Sequence, residues 1–203
     1  MEHLHAIGLN CTLKSGDEPS STELLVTQVL DALVKEGVAT DGPVRVADLD
    51  IKPGVRSDEG DGDAWPRLRR RILDADILVF GTPIWLGQPS SIAKRVTERM
   101  DAFLSEADDA GRMPSFDQVA VVAVVGNEDG AHHVSAELFQ ALCDVGFTIP
   151  ANAVTYWVGE AMGSTDYKDL GVVPEKVVST TATVARNAAH LAGLLKASGY
   201  PGG

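Results

Sequence analysis

Apolar residues gather in short, unbroken runs, and between the runs they recur at helical spacing. The clearest run is Ala120-Val121-Val122-Ala123-Val124-Val125, and Ile77-Leu78-Val79-Phe80 is a second. A strand apolar at every position is buried on both faces, as in a parallel sheet covered by helices on each side. The pattern predicts strands over residues 3–9, 44–49, 76–81 and 118–125, with a fifth inside 148–157. Helices are predicted over 21–36, 65–74, 91–104, 131–145 and 174–197. Five such units joined by right-handed crossovers fit one α/β domain over residues 1–203. It has three layers, with a five-stranded parallel sheet in the order 2-1-3-4-5 and helices on both faces. Residues 57–63 and 105–115 read as loops, and 200–203 as a frayed tail.

Composition narrows the class. The 203 residues are 44% apolar, enough for one sizeable core. No apolar run reaches the roughly 18 residues of a membrane span. The start Met1-Glu2-His3-Leu4-His5 lacks the basic region and apolar stretch of a signal peptide. The expectation is a cytoplasmic protein with no membrane partner. A net charge of −12 opposes nucleic-acid binding, because phosphate backbones attract basic surfaces. Small molecules are the expected partners. Cys11 and Cys143 lie far apart and offer neither zinc nor redox spacing. His3 and His5 share a strand face but find no further ligands in the pattern, so no metal site is expected.

Candidate chemistry lies where strands end. The loop after the first strand lacks the G-x-G-x-x-G of dinucleotide folds, since Gly8 is followed by Leu9 and Asn10. Lys14-Ser15-Gly16 has the wrong order for a triphosphate-binding loop. Asp17 stands where a cysteine phosphatase built on Cys11 would need arginine, and Thr82-Pro83 stands where a phosphoacceptor aspartate would be. What remains is a hydroxyl-rich loop with Thr12, Ser15, Ser20, Ser21 and Thr22, feeding a helix N-terminus. Free N–H groups and the positive helix end there suit a phosphate dianion. The bland alternative is that Ser20 or Ser21 only caps the helix. Asp17 and Glu18 suit phosphate only if they point outward. The third strand ends in Gly81-Thr82-Pro83-Ile84-Trp85-Leu86-Gly87, read as a rigid loop able to stack a flat ring. Tyr156 and Trp157, at the same sheet edge, read first as packing.

The strand-one hydroxyl loop and the Gly81–Gly87 segment together resemble the flavodoxin-like NAD(P)H-dependent FMN reductases, and the resemblance covers nearly the whole chain. It implies a noncovalent FMN, with NAD(P)H as co-substrate and a small-molecule electron acceptor such as a quinone or free flavin. Thr12, Ser20, Ser21 and Thr22 would hold the phosphate, with Lys14 a charge partner. Thr82, Pro83, Ile84, Trp85, Leu86 and Gly87 would line the ring, the N–H groups near Leu86 and Gly87 facing its N5 and O4 edge. Gly126, Asn127, Glu128, Gly130 and His132 would close the pyrimidine side. The flavin carries the chemistry, so no catalytic side chain is expected. The resemblance also implies a homodimer or homotetramer. Relatives of the iron–sulfur type carry a cysteine cluster where this chain reads Val55-Arg56-Ser57-Asp58-Glu59, so no cluster is expected. Two alternatives stand beside the reductase: an electron carrier for a protein partner, and a flavin-free interaction member of the fold.

Overall fold

Strand and helix alternate along the chain in a computed structural model that describes residues 3–202. Met1, Glu2 and Gly203, and with them part of the reading of both chain ends, lie outside the described residues. β1 (His5–Asn10) is followed by α1 (Ser21–Lys35), β2 (Ala39–Arg45), α2 (Trp65–Leu73), β3 (Ile77–Trp85) and β4 (Gln88–Pro89). Then come α3 (Ser91–Met100), β5 (Val119–Gly126), α4 (Ala131–Asp144), β6 (Val154–Val158) and α5 (Glu175–Ala197). The sheet runs β2-β1-β3-β5-β6 with parallel pairing throughout, and β4 pairs antiparallel with β3 alone. With the two-residue β4 set aside, this is the predicted order.

Successive strand residues point to opposite faces, and both faces are buried. Ala6, Val79, Val121 and Ala123 pack under Val26, Leu30 and Ala188 of α1 and α5. Leu9, Phe80, Val122 and Val124 pack under Leu68, Val96 and Leu138 of α2, α3 and α4. Two glycines bring α1 unusually close to the sheet. A Cβ on Gly8 would sit 2.7 Å from Val26 Cγ1, and one on Gly81 would sit 2.1 Å from Val26 Cγ2 and 2.9 Å from the Leu9 carbonyl. The N-terminus of α1 is thereby held beside the ends of β1 and β3.

Three sequence expectations need correction. The second strand covers Ala39–Arg45, not 44–49, and Val46–Asp48 forms a 3-10 turn. β2 is an edge strand whose residues are only partly buried, so it carries no apolar run, and Gly42 and Pro43 sit at its register irregularity. The last strand, Val154–Val158, lies within the expected stretch 148–157 but for its final residue, and Thr148 makes only an isolated bridge to Val119. Tyr200 is not frayed: its N–H donates to Asp117 (2.6 Å), its hydroxyl accepts from Thr148 Oγ1 (2.9 Å), and its ring lies against Phe116. The expected loop 81–87 is a hairpin. β3 continues through Trp85, and Leu86 and Gly87 turn the chain with φ of 52° and 74°. Positive φ at both central residues is the type I′ geometry that matches strand twist.

Candidate functional site

The carboxyl ends of β1, β3 and β5 open onto a cleft of about 470 Å³. Its walls are the loop after β1, the first turn of α1, the β3–β4 hairpin, the loop after β5, and residues Trp157, Met162, Asp166 and Tyr167. Open α/β sheets place ligands at such strand ends.

One end of the cleft is built from hydroxyls. Ser20 caps α1 and its Oγ accepts from the Glu23 N–H at 3.2 Å. Thr12 Oγ1 accepts from the Lys14 N–H (3.3 Å), and Ser21 Oγ from the Lys168 N–H (3.2 Å). Thr12, Ser20 and Thr22 are buried. The N–H groups that begin α1 have no intrahelical partners, and the helix dipole adds positive potential there. Asp17 and Glu18 are exposed. Lys14 Nζ lies 3.5 Å from the Glu18 carboxylate and donates to the Pro19 carbonyl (3.0 Å). Arg45 braces the loop from behind: it donates to the Glu18 carbonyl (2.8 Å) and pairs with the Glu23 carboxylate, which neutralises the one acid in the first turn of α1. Gly16 N–H donates to Asp48 (2.7 Å), a further tie on the loop.

The other end is apolar. Pro83, Ile84 and Trp85 face the cleft from β3, and Val125 and Trp157 from β5 and β6. Gly126 lets Ile84 lie against the backbone, since a Cβ there would come within 2.9 Å of Ile84 Cβ. Tyr167 packs on Trp157 with ring centroids 5.5 Å apart, and its hydroxyl donates to Gln28 at 2.6 Å. Burial pushes its phenol above the ordinary value, offset in part by that bond, so it stays protonated at neutral pH. Asn127 ties two walls together: its Nδ2 donates to Asp166 Oδ1 (3.0 Å) and its carbonyl accepts from Met162 N–H (3.2 Å). Ser90 fixes the hairpin's return to the first loop, donating to the Cys11 carbonyl at 2.6 Å while capping α3.

Of the residues singled out from sequence, Thr12, Lys14, Ser20, Ser21, Thr22, Pro83, Ile84, Trp85, Leu86, Gly126, Asn127 and Glu128 line this cleft. Thr82, Gly87, Gly130 and His132 lie outside its lining and have other partners. Thr82 is fully buried and its Oγ1 accepts from Ser90 N–H (3.1 Å). Gly130 packs on Gly87, where a Cβ would sit 2.9 Å from Gly87 Cα. His132 pairs with the Tyr156 hydroxyl at 3.1 Å. The N–H groups of Leu86 and Gly87, expected to face a ring edge, donate instead to the two oxygens of Glu128 at 3.0 and 3.1 Å. Sequence reading missed Leu13, Val125, Met162, Asp166 and Tyr167, and read Trp157 as packing. Asp166 and Tyr167 come from a segment with no strand or helix periodicity to place it.

A helix end suited to phosphate and an apolar slot joined in one cleft fit the two halves of a phosphorylated planar ring, and FMN has both. The fold is flavodoxin-like. The family model for NADPH-dependent FMN reductase matches residues 6–163, and the chain belongs to that family. It is 36% identical over 167 residues to the 8-demethyl-8-aminoriboflavin-5′-phosphate synthase of Streptomyces davaonensis, covering 78% of this chain and 65% of the synthase. It is 37% identical over 201 residues to the divalent metal cation transporter MntH of Mycobacterium bovis, covering 96% of this chain but 29% of that protein. The chain thus spans less than two thirds of the length of either relative. The crystal structure of RosB with its bound intermediate 8-demethyl-8-formylriboflavin-5′-phosphate superposes with a TM-score of 0.86 at 33% identity, covering 97% of this chain and 82% of that one. Among the described residues no helix is long and apolar enough to cross a membrane.

Proposed function

We propose that the cleft binds FMN and that the protein is an NAD(P)H-dependent oxidoreductase delivering electrons to a small acceptor such as a quinone or free flavin. The observation that carries this reading is the joining of the α1 N-terminus to the Trp85 slot in one cavity. When bound, FMN supplies the two-electron redox chemistry. Thr12, Ser20, Ser21 and Thr22 hold the phosphate, and Lys14 reaches it by swinging from its present partners. Ile84, Trp85 and Trp157 orient the ring and exclude water from one side. The reading takes the protein as a cytoplasmic homodimer or homotetramer. Its support for self-association is the rim of Leu13, Trp85, Leu86 and Met162, exposed by 49, 53, 92 and 99%. Titration with FMN, followed by anaerobic bleaching of the flavin band with NADH or NADPH and recovery with a quinone, tests the reading. A protein that takes up no FMN refutes it.

A second reading makes the phosphorylated flavin the substrate rather than the cofactor. It is favoured by the 36% relative named a synthase of an aminoriboflavin phosphate and by the RosB structure holding a formylriboflavin phosphate. Mass spectrometry of the flavin after turnover separates the two. Unchanged FMN supports the cofactor, and a modified ring supports the substrate.

A further inference from the structure

The turn of the β3–β4 hairpin presents two backbone donors to the neighbouring loop, and one side chain takes both. Leu86 N–H donates to Glu128 Oε1 at 3.0 Å, and Gly87 N–H to Glu128 Oε2 at 3.1 Å. Leu86 holds a φ of 52°, a left-handed conformation that leucine rarely adopts. Leu86 and Glu128 both line the cleft at its ring end.

Three features make this contact displaceable. Among the described residues no cation pairs with Glu128, so its charge rests on two amides and solvent. Glu128 is only partly buried, so it can rehydrate on leaving. The hairpin has other support: Gly130 seats against Gly87, and Ile84 pairs with Pro89 across the strands. A carboxylate that bridges two successive N–H groups presents two adjacent acceptor oxygens. A heterocycle with two acceptor atoms side by side on one edge presents the same pattern in a plane.

We propose that Glu128 is a gate: its carboxylate fills a two-donor acceptor subsite at Leu86 and Gly87, and a planar ring with paired acceptors on one edge takes those donors when Glu128 turns away. The inference rests on the FMN reading. Glu128 is a positioning residue here. It sets the affinity for the ring by competing for its donors, and it leaves the phosphate end untouched.

The test compares wild type with Glu128→Ala and Glu128→Gln. FMN affinity is measured by fluorescence quenching, and the Leu86 and Gly87 amides are followed by hydrogen exchange. Two released donors predict FMN binding tighter by about tenfold in Glu128→Ala, with Glu128→Gln between that and wild type. The two amides exchange faster in free Glu128→Ala and recover protection when FMN is added. Equal or weaker FMN binding by both variants, with wild-type circular dichroism, makes Glu128 a strut and overturns the gate while the FMN reading stands. If neither wild type nor variant binds FMN, the FMN reading falls and the gate falls with it.

Discussion

Arg99 of α3 and Asp63 form an ion pair with both side chains fully buried, 2.8 Å apart, and removing Asp63 is the sharpest test of how this protein holds its long connection between β2 and α2. The guanidinium also donates to the carbonyls of Lys52 (2.9 Å) and Arg56 (2.7 and 3.1 Å) and lies over the Trp65 ring. Asp63 accepts from the N–H groups of Lys52, Glu59 and Trp65. One pair therefore organises residues 49–64, which form no helix or strand. Asp63→Ala leaves a buried cation without its counter-charge, which costs about 3–5 kcal/mol. At roughly 2–4 °C per kcal/mol for a chain of this size, the melting temperature falls by roughly 6–20 °C at pH 7. The pH dependence adds a second check. Burial pushes the Asp63 carboxyl up, but the Arg99 bond and the N–H groups of Glu59, Trp65 and Lys52 outweigh it and bring the pKa from 3.8 to about 2. A folded pKa below the unfolded one contributes stability that is complete above the unfolded value and lost as pH falls through the folded value. That contribution is about 2 kcal/mol, so the gap between wild type and Asp63→Asn narrows from pH 4 to pH 2. Calorimetry over that range measures both effects. Melting of Asp63→Ala within 2 °C or so of wild type would refute the reasoning, since that is below the shift expected for even ~1 kcal/mol.

Gly81→Ala places a methyl 2.1 Å from Val26 Cγ2, and overpacking of this kind costs about 1–3 kcal/mol in urea unfolding. It also pushes the start of α1 off the sheet, so FMN binding weakens; an unchanged variant would contradict the close approach. Thr22→Asp sets a like charge against the phosphate and lowers FMN affinity by roughly tenfold or more, read by quenching; full affinity would mean the phosphate sits elsewhere. Cys11 is buried and burial pushes its thiol far above the ordinary range, whereas Cys143 is exposed. A disulfide reagent at pH 8 therefore labels one thiol in the native protein and two after denaturation, and rapid double labelling of native protein would contradict the packing around Cys11.

The sheet was legible where burial on both faces writes one apolar letter after another, as in β5 and the first half of β3. It was not legible in β2, because an edge strand needs no apolar run. It was also obscured at the hairpin, where Leu86 occupies a turn position that asparagine or glycine would have advertised. The hydroxyl-lined end of the cleft could be read because hydroxyls before a helix have a local purpose. The apolar end could be read only in part. Trp85 stood out, but Asp166 and Tyr167 reach the cleft through tertiary contacts with Asn127 and Gln28, and no local pattern records those. The role of Glu128 at the hairpin turn was hidden for the same reason: its partners are more than forty residues away in sequence.

The most direct measurement is a pair of equilibrium titrations, with FMN and with riboflavin, which differ only in the phosphate. A cleft that anchors the phosphate at the start of α1 and the ring beside Trp85 binds one FMN per chain, and binds riboflavin at least about tenfold more weakly, the value of one or two charge-assisted hydrogen bonds. Equal affinities, or no saturable binding of either, would contradict it.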